Sequence, residues 1–258
     1  MKTKTVLTPY FLDTRLPGLE ELKEWDWILN REKLPESSTI ERMSIIQAAL
    51  AAAVEEISAG GDLPVSIAGD CCTAIAMLAG LRRAGKNPVL IWFDAHGDFN
   101  TWETSPSGFL GGMPLAMLVG RGEQTLLEAL DLVPIEEDRV ILTDGRDLDP
   151  GEKELVDRSS ITHLQDPMDL LEYSFSEHSM WIHFDTDILD PEDVPAQNYP
   201  APGGIRKDKL EEIFQYLAGA GNICAISLSS WAPDLPGADQ SRDVSMELLD
   251  VLVQESIR

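Results

Sequence analysis

Asp94-Ala95-His96-Gly97-Asp98 follows the apolar segment Pro88–Phe93, and Asp185-Thr186-Asp187 follows Met180–Phe184. Side chains two apart on an extended strand point the same way. Asp94, His96 and Asp98 are therefore expected to converge, as are Asp185 and Asp187. Four carboxylates in one place repel one another unless a cation sits between them. Oxygen donors with one imidazole suit Mn²⁺, Fe²⁺ or Zn²⁺.

The elements that must position these groups can be read from the pattern around them. Short apolar runs alternate with helical stretches along nearly the whole chain. Strands are expected at Thr5–Leu7, Pro64–Ala68, Pro88–Phe93, Arg139–Leu142, Ile161–Leu164, Met180–Phe184 and Asn222–Leu228. Several are continuous apolar runs, as in strands buried on both faces. Helices are expected at Thr39–Ser58, Thr73–Ala84, Pro114–Val119, Gln124–Ala129, Gly151–Arg158, Lys207–Ala218 and Val244–Ile257. Ser37 and Ser38 with Glu41 mark the start of the first, and Gly60-Gly61 its end. Strand–helix alternation predicts an α/β fold, a mainly parallel sheet covered by helices on both faces. In such sheets ligands bind beyond the carboxyl ends of strands. Both aspartate runs lie there, as do Gly69-Asp70-Cys71-Cys72 and the segment Arg146 to Glu152. No linker, low-complexity tract or internal repeat interrupts the pattern, so one domain over residues 1–258 is expected.

The net charge of −25 excludes nucleic acid and anionic lipid as expected partners. No apolar stretch is long enough to span a bilayer, and the N-terminus lacks a secretory apolar core. Three cysteines, Cys71, Cys72 and Cys224, two of them adjacent, form no disulfide framework. A reducing, cytoplasmic setting fits.

In order along the chain, the motifs resemble those of the ureohydrolase superfamily, which includes arginase, agmatinase and formimidoylglutamase. Asp94-Ala95-His96-Gly97-Asp98-Phe99-Asn100-Thr101 matches the DAHxD-x-N-T block. Ser107-Gly108-Phe109-Leu110-Gly111-Gly112-Met113-Pro114 matches S-G-N-L-H-G-M-P with two changes. Arg146 to Glu152 resembles R-D-x-D-P-G-E. Phe184 to Pro191 matches F-D-x-D-x-x-D-P, and Pro202-Gly203-Gly204 the P-G-G that follows. The resemblance implies a three-layer α/β/α sandwich and two Mn²⁺ ions bridged by hydroxide. It implies one ion on Cys71, Asp94, Asp98 and Asp185, and the other on His96, Asp94, Asp185 and Asp187. Asp98 would orient the hydroxide and relay its proton. Asn100, Ser107 and Asp149 match positions that hold the amino-acid end of the substrate in arginase. Turn or cap roles account for the same residue types. Assembly as a homo-oligomer, a trimer or hexamer, is implied by resemblance alone.

Three departures bear on activity. Cys71 stands where a ligating histidine is expected. A thiolate there shifts preference toward Zn²⁺ or Fe²⁺, whereas a neutral thiol would leave one ion weakly held. Gly111 and Phe109 replace a proton-transferring histidine and an asparagine. Ser230 replaces the glutamate that grips a guanidinium, and a hydroxyl cannot make that charge-assisted pair. His183 lies two residues before Asp185. It is either a core histidine or a compensating ligand or acid/base. The expected activity is hydrolysis of a small molecule's non-peptide C–N bond (amidine, formimidoyl or guanidino), with arginine itself disfavoured. The alternative is a catalytically impaired metal-binding relative.

Overall fold

The computed structural model describes residues 1–175, 178–220 and 222–256. Its strands are β1 (Thr3–Thr8), β2 (Tyr10–Phe11), β3 (Thr14–Arg15), β4 (Ile28–Leu29) and β5 (Leu63–Ala68). They continue with β6 (Val89–Asp94), β7 (Val140–Asp144), β8 (Thr162–Leu164), β9 (Met180–Asp185) and β10 (Ile223–Ser229). The helices are α1 (Pro17–Glu20), α2 (Thr39–Ala59), α3 (Ala74–Arg83), α4 (Pro114–Leu118), α5 (Thr125–Ala129), α6 (Pro150–Arg158), α7 (Lys207–Gly219) and α8 (Ala238–Ser256). Helix α8 begins six residues before the expected Val244, and Ile257 lies outside the described residues.

Eight strands form one sheet in the order β4-β1-β5-β10-β9-β6-β7-β8, and every pairing is parallel. Central strands β5, β6 and β9 are buried at every residue, which explains their unbroken apolar runs. Alternation then sorts side chains onto two faces. Trp92 and Trp181 pack with Leu50, Val54, Ile75 and Leu78 from α2 and α3. Phe93 and Phe184 point the other way and meet Phe214 of α7 edge-on, at centroid distances of 5.2 and 5.3 Å. Two cores thus flank one sheet in the expected three-layer sandwich.

Local signals hold where they were strongest. Ser38 and Glu41 close a capping box at the start of α2, and Gly60-Gly61 follow its end, Gly61 at φ +79°. Two features were not expected. Tyr10–Phe11 and Thr14–Arg15 form a small antiparallel hairpin, and Ile28–Leu29 adds an edge strand beside β1. Among the described residues, no helix is long and apolar enough to cross a membrane.

Candidate metal centre

Strands β5, β10, β9 and β6 are neighbours in the sheet, and their carboxyl ends deliver polar residues to one cavity of about 500 Å³. After β5 comes Cys71, in a short 3-10 turn capped by Asp70. Strand β6 ends at Asp94. Strand β9 ends at Asp185, whose carboxylate accepts the Asp187 N–H at 2.9 Å and starts a second tight turn. Beyond β10, Ser230 sits at φ +69° and donates a short hydrogen bond to Asp185.

Two ligand groups result. Donor atoms of Cys71, Asp94 and Asp185 lie within 4.8 Å of one another, and so do those of Asp94, His96 and Asp187. Asp94 belongs to both, the arrangement expected of a carboxylate shared between two ions. Cys71 Sγ is 2.8 Å from Asp185 Oδ2 and 3.9 Å from Asp94 Oδ2. His96 Nδ1 is 3.1 Å from Asp187 Oδ2 and 3.4 Å from Asp94 Oδ1. Backbone and indole donors set the carboxylates in place. Trp92 Nε1 reaches Asp94 at 3.1 Å, the His96 N–H reaches it at 2.7 Å, and the Ala95 N–H reaches Asp187 at 3.1 Å.

The electrostatics call for positive charge. Burial, and then repulsion from Asp187, pushes Asp185 up to about 7. Burial and Asp94 push Asp187 up to about 6. Burial also raises Asp94, with Asp185 adding to it, and carries Asp98 well above the usual carboxylate range, with Asp94 next. Burial would lower His96, but its hydrogen bonds to Asp187 and Asp94 push it up to about 12. A divalent cation answers the same field with more charge, and it deprotonates the ligands that hold it. The donor set therefore fits two such ions.

Two candidate residues sit where strand spacing alone does not place them. Strand β6 stops at Asp94, so strand alternation does not carry the residues that follow it. Asp98 lies in the loop at φ +48°, and its carbonyl accepts the Leu115 and Ala116 N–H groups at the start of α4. It lines the cavity but falls outside both ligand groups. His183 is fully buried and does not line the cavity. Register places it opposite Ser227, whose hydroxyl lies 2.8 Å from Nδ1, and its ring stacks on Trp92 at 3.7 Å. Burial depresses it to about 3, so it is neutral. Its link to the site runs through Ser229, 3.4 Å from His183 Nε2 and 3.4 Å from Asp185.

Asn100, Ser107 and Asp149 do line the cavity. Asn100 donates to Asp149 at 3.0 Å and accepts from Thr104 at 3.0 Å. Asp149 caps α6 in a box with Glu152. Ser107 Oγ accepts the Phe109 N–H at 3.2 Å. The turn and cap roles are thus realised beside the cavity rather than instead of it. Nothing in the sequence pattern marks Phe11, Asn198 or Tyr199, which also line it. Arg146 holds the far wall. Its guanidinium pairs with Asp144 and donates to the carbonyls of Asp187 (2.9 Å), Ile188 (3.2 Å), Ala201 (3.3 Å) and Pro202 (3.2 Å).

The carboxyl edge of this parallel eight-stranded sheet gathers carboxylates and a histidine into donor groups suited to divalent ions. The arginase family model matches residues 26–253, and the chain belongs to that family. It is 30% identical over 244 residues to arginase of Bacillus subtilis, covering 89% of this chain and 82% of that one. It is also 30% identical to the N(omega)-hydroxy-L-arginine amidinohydrolase of Streptomyces lavendulae, over 77% of this chain and 71% of that one. The crystal structure of Bacillus subtilis arginase superposes with a TM-score of 0.83 at 25% identity, covering 98% of both chains.

Proposed function

We propose that this protein hydrolyses a non-peptide C–N bond of the amidine, formimidoyl or guanidino type in a small molecule, using two divalent ions. The observation that carries this is the pair of ligand groups sharing Asp94 on the cavity wall. Cys71, Asp94 and Asp185 would hold one ion, and His96, Asp94 and Asp187 the other. Mn²⁺ is the first candidate, and the thiol favours Zn²⁺ or Fe²⁺ at the Cys71 position. When bound, the ions supply hydroxide at neutral pH and polarise the trigonal carbon.

The chain's own residues do the rest. Asp98, buried beside Asp94 and held above the usual carboxylate range, first by burial and then by Asp94, lines the cavity. It orients the nucleophile and passes the proton to the departing nitrogen as the C–N bond breaks. Ser230 spends its hydroxyl on Asp185 and so does not grip a guanidinium. Arginine is therefore a poor substrate despite the named relatives. Asn100, Ser107 and Asp149 contact the rest of the substrate. We also propose one domain, which a single sheet running from β1 to β10 supports. With it go a cytoplasmic location, which the free cysteines fit, and a trimeric or hexameric assembly, which rests on the family resemblance alone.

Metal analysis of the purified chain, followed by a screen of amidino, formimidoyl and guanidino compounds for ammonia or urea release, tests the proposal. Two ions per chain and turnover of at least one class are expected. No ion after reconstitution, with no turnover, would leave the catalytically impaired relative.

A further inference from the structure

Three rings from distant parts of the chain meet at the mouth of the cavity. Phe11 stacks on Phe109 with centroids 6.1 Å apart and planes 15° apart. Phe109 in turn lies 5.3 Å from Tyr199. All three line the cavity, and Tyr199 is half exposed. The ring of Phe109 occupies space that a side chain at position 111 would need. A Cβ on Gly111 would lie 2.4 Å from Phe109 Cε1 and Cζ. A side chain at 111 would require the ring to swing aside, and in this chain the ring has the space.

Phe11 is held as firmly. The next N–H, that of Leu12, donates to the buried Asp70 carboxylate at 2.7 Å. Gly69 leaves room for the Tyr10 carbonyl, which a Cβ would meet at 2.2 Å. Charge points the same way. Among the described residues, carboxylates line the cavity and no lysine or arginine does. Away from the ion-binding end, where Asp147 and Asp149 line the cavity, a substrate carboxylate would meet like charge without a lysine or arginine to pair with.

We infer that the site takes a substrate whose reacting amidino, formimidoyl or guanidino carbon carries an aryl or extended alkyl group, neutral or cationic, and no carboxylate. This rests on the hydrolase assignment above. The group packs against Phe11, Phe109 and Tyr199 while the reacting carbon reaches Asp94 and Asp185. Aromatic faces reward such a group and also tolerate a cationic one.

Calorimetry on the full chain loaded with Mn²⁺ tests this, with phenylguanidine, methylguanidine and 4-guanidinobutyrate as probes and ammonia and urea release followed in parallel. Phenylguanidine should bind about tenfold more tightly than the other two. Phe109→Ala should remove that preference, and Phe11→Ala, a separate variant on another element, should reduce it. Equal binding, tighter binding of 4-guanidinobutyrate, or a preference untouched by both substitutions would overturn the inference. A persisting aryl preference without turnover of any compound would defeat the hydrolase assignment and leave this inference standing. Faster turnover of 4-guanidinobutyrate than of phenylguanidine would do the reverse.

Discussion

Cys71, proposed above as a ligand, would set the metal preference of this site. Burial pushes its thiol well above the ordinary range, and Asp185, Asp98 and Asp94 push it further. Only a coordinated cation reverses such a field. A Co²⁺-substituted protein should therefore show a near-ultraviolet sulfur-to-cobalt absorption. Cys71→Ser should abolish it and weaken binding by at least the roughly 10–100-fold that outer-shell partners cost, while Cys72→Ser leaves it intact. Wild-type protein without that absorption would show that Cys71 is a neutral neighbour. Cys71→His should raise Mn²⁺ affinity over Zn²⁺. His183 shows the limit of reading single residues from spacing. Its alternation with Asp185 is real, but one hydroxyl, that of Ser229, separates it from the centre. Cross-strand register with β10, which periodicity does not reveal, determines this.

At the level of elements, the hairpin of β2 and β3 is tied to the site by Gly69 and Asp70. Gly69→Ala would drive a Cβ to 2.2 Å from the Tyr10 carbonyl, and backbone cannot swing aside as a side chain can. The substitution should cost about 1–3 kcal/mol by overpacking, seen as a lower denaturation midpoint with an unchanged m-value. An unchanged midpoint would mean that the hairpin docks loosely. The central strands were legible because burial on both faces leaves an unbroken apolar run, and α2 because its cap chemistry is local. The hairpin was not, since two-residue strands carry no periodicity and Phe11 is brought to the cavity by long-range ties, the Asp70–Leu12 and Gly69–Tyr10 hydrogen bonds. Asp94, His96, Asp185 and Asp187 were legible because strand ends gather them. Asp98 was less legible, because a left-handed residue in a loop follows no strand alternation.

For the molecule as a whole, the buried carboxylates link metal, pH and stability. Asp185 at about 7 and Asp187 at about 6 stand above the ordinary value of 3.8. Between that value and pH 7 the metal-free folded chain holds protons that the unfolded chain has released. Stability from these groups is therefore present at low pH and lost as pH rises through 6 to 7. Metal removes the loss by pairing with the ionised forms. The gap in melting temperature between metal-loaded and EDTA-treated protein should widen from about pH 5 to about pH 8. Free metal at a hundredfold excess over Kd gives about 2.7 kcal/mol, or about 5–10 °C for a chain of this size. A gap constant with pH would show that these carboxylates do not bind the ions.

The close contact between the Phe109 ring and any Cβ at 111 also makes the order of genetic change matter. A lineage replacing Gly111 first would pass through a clash, whereas one shrinking Phe109 first would meet open space. Laboratory evolution toward a larger residue at 111 should therefore be eased when position 109 carries a smaller side chain.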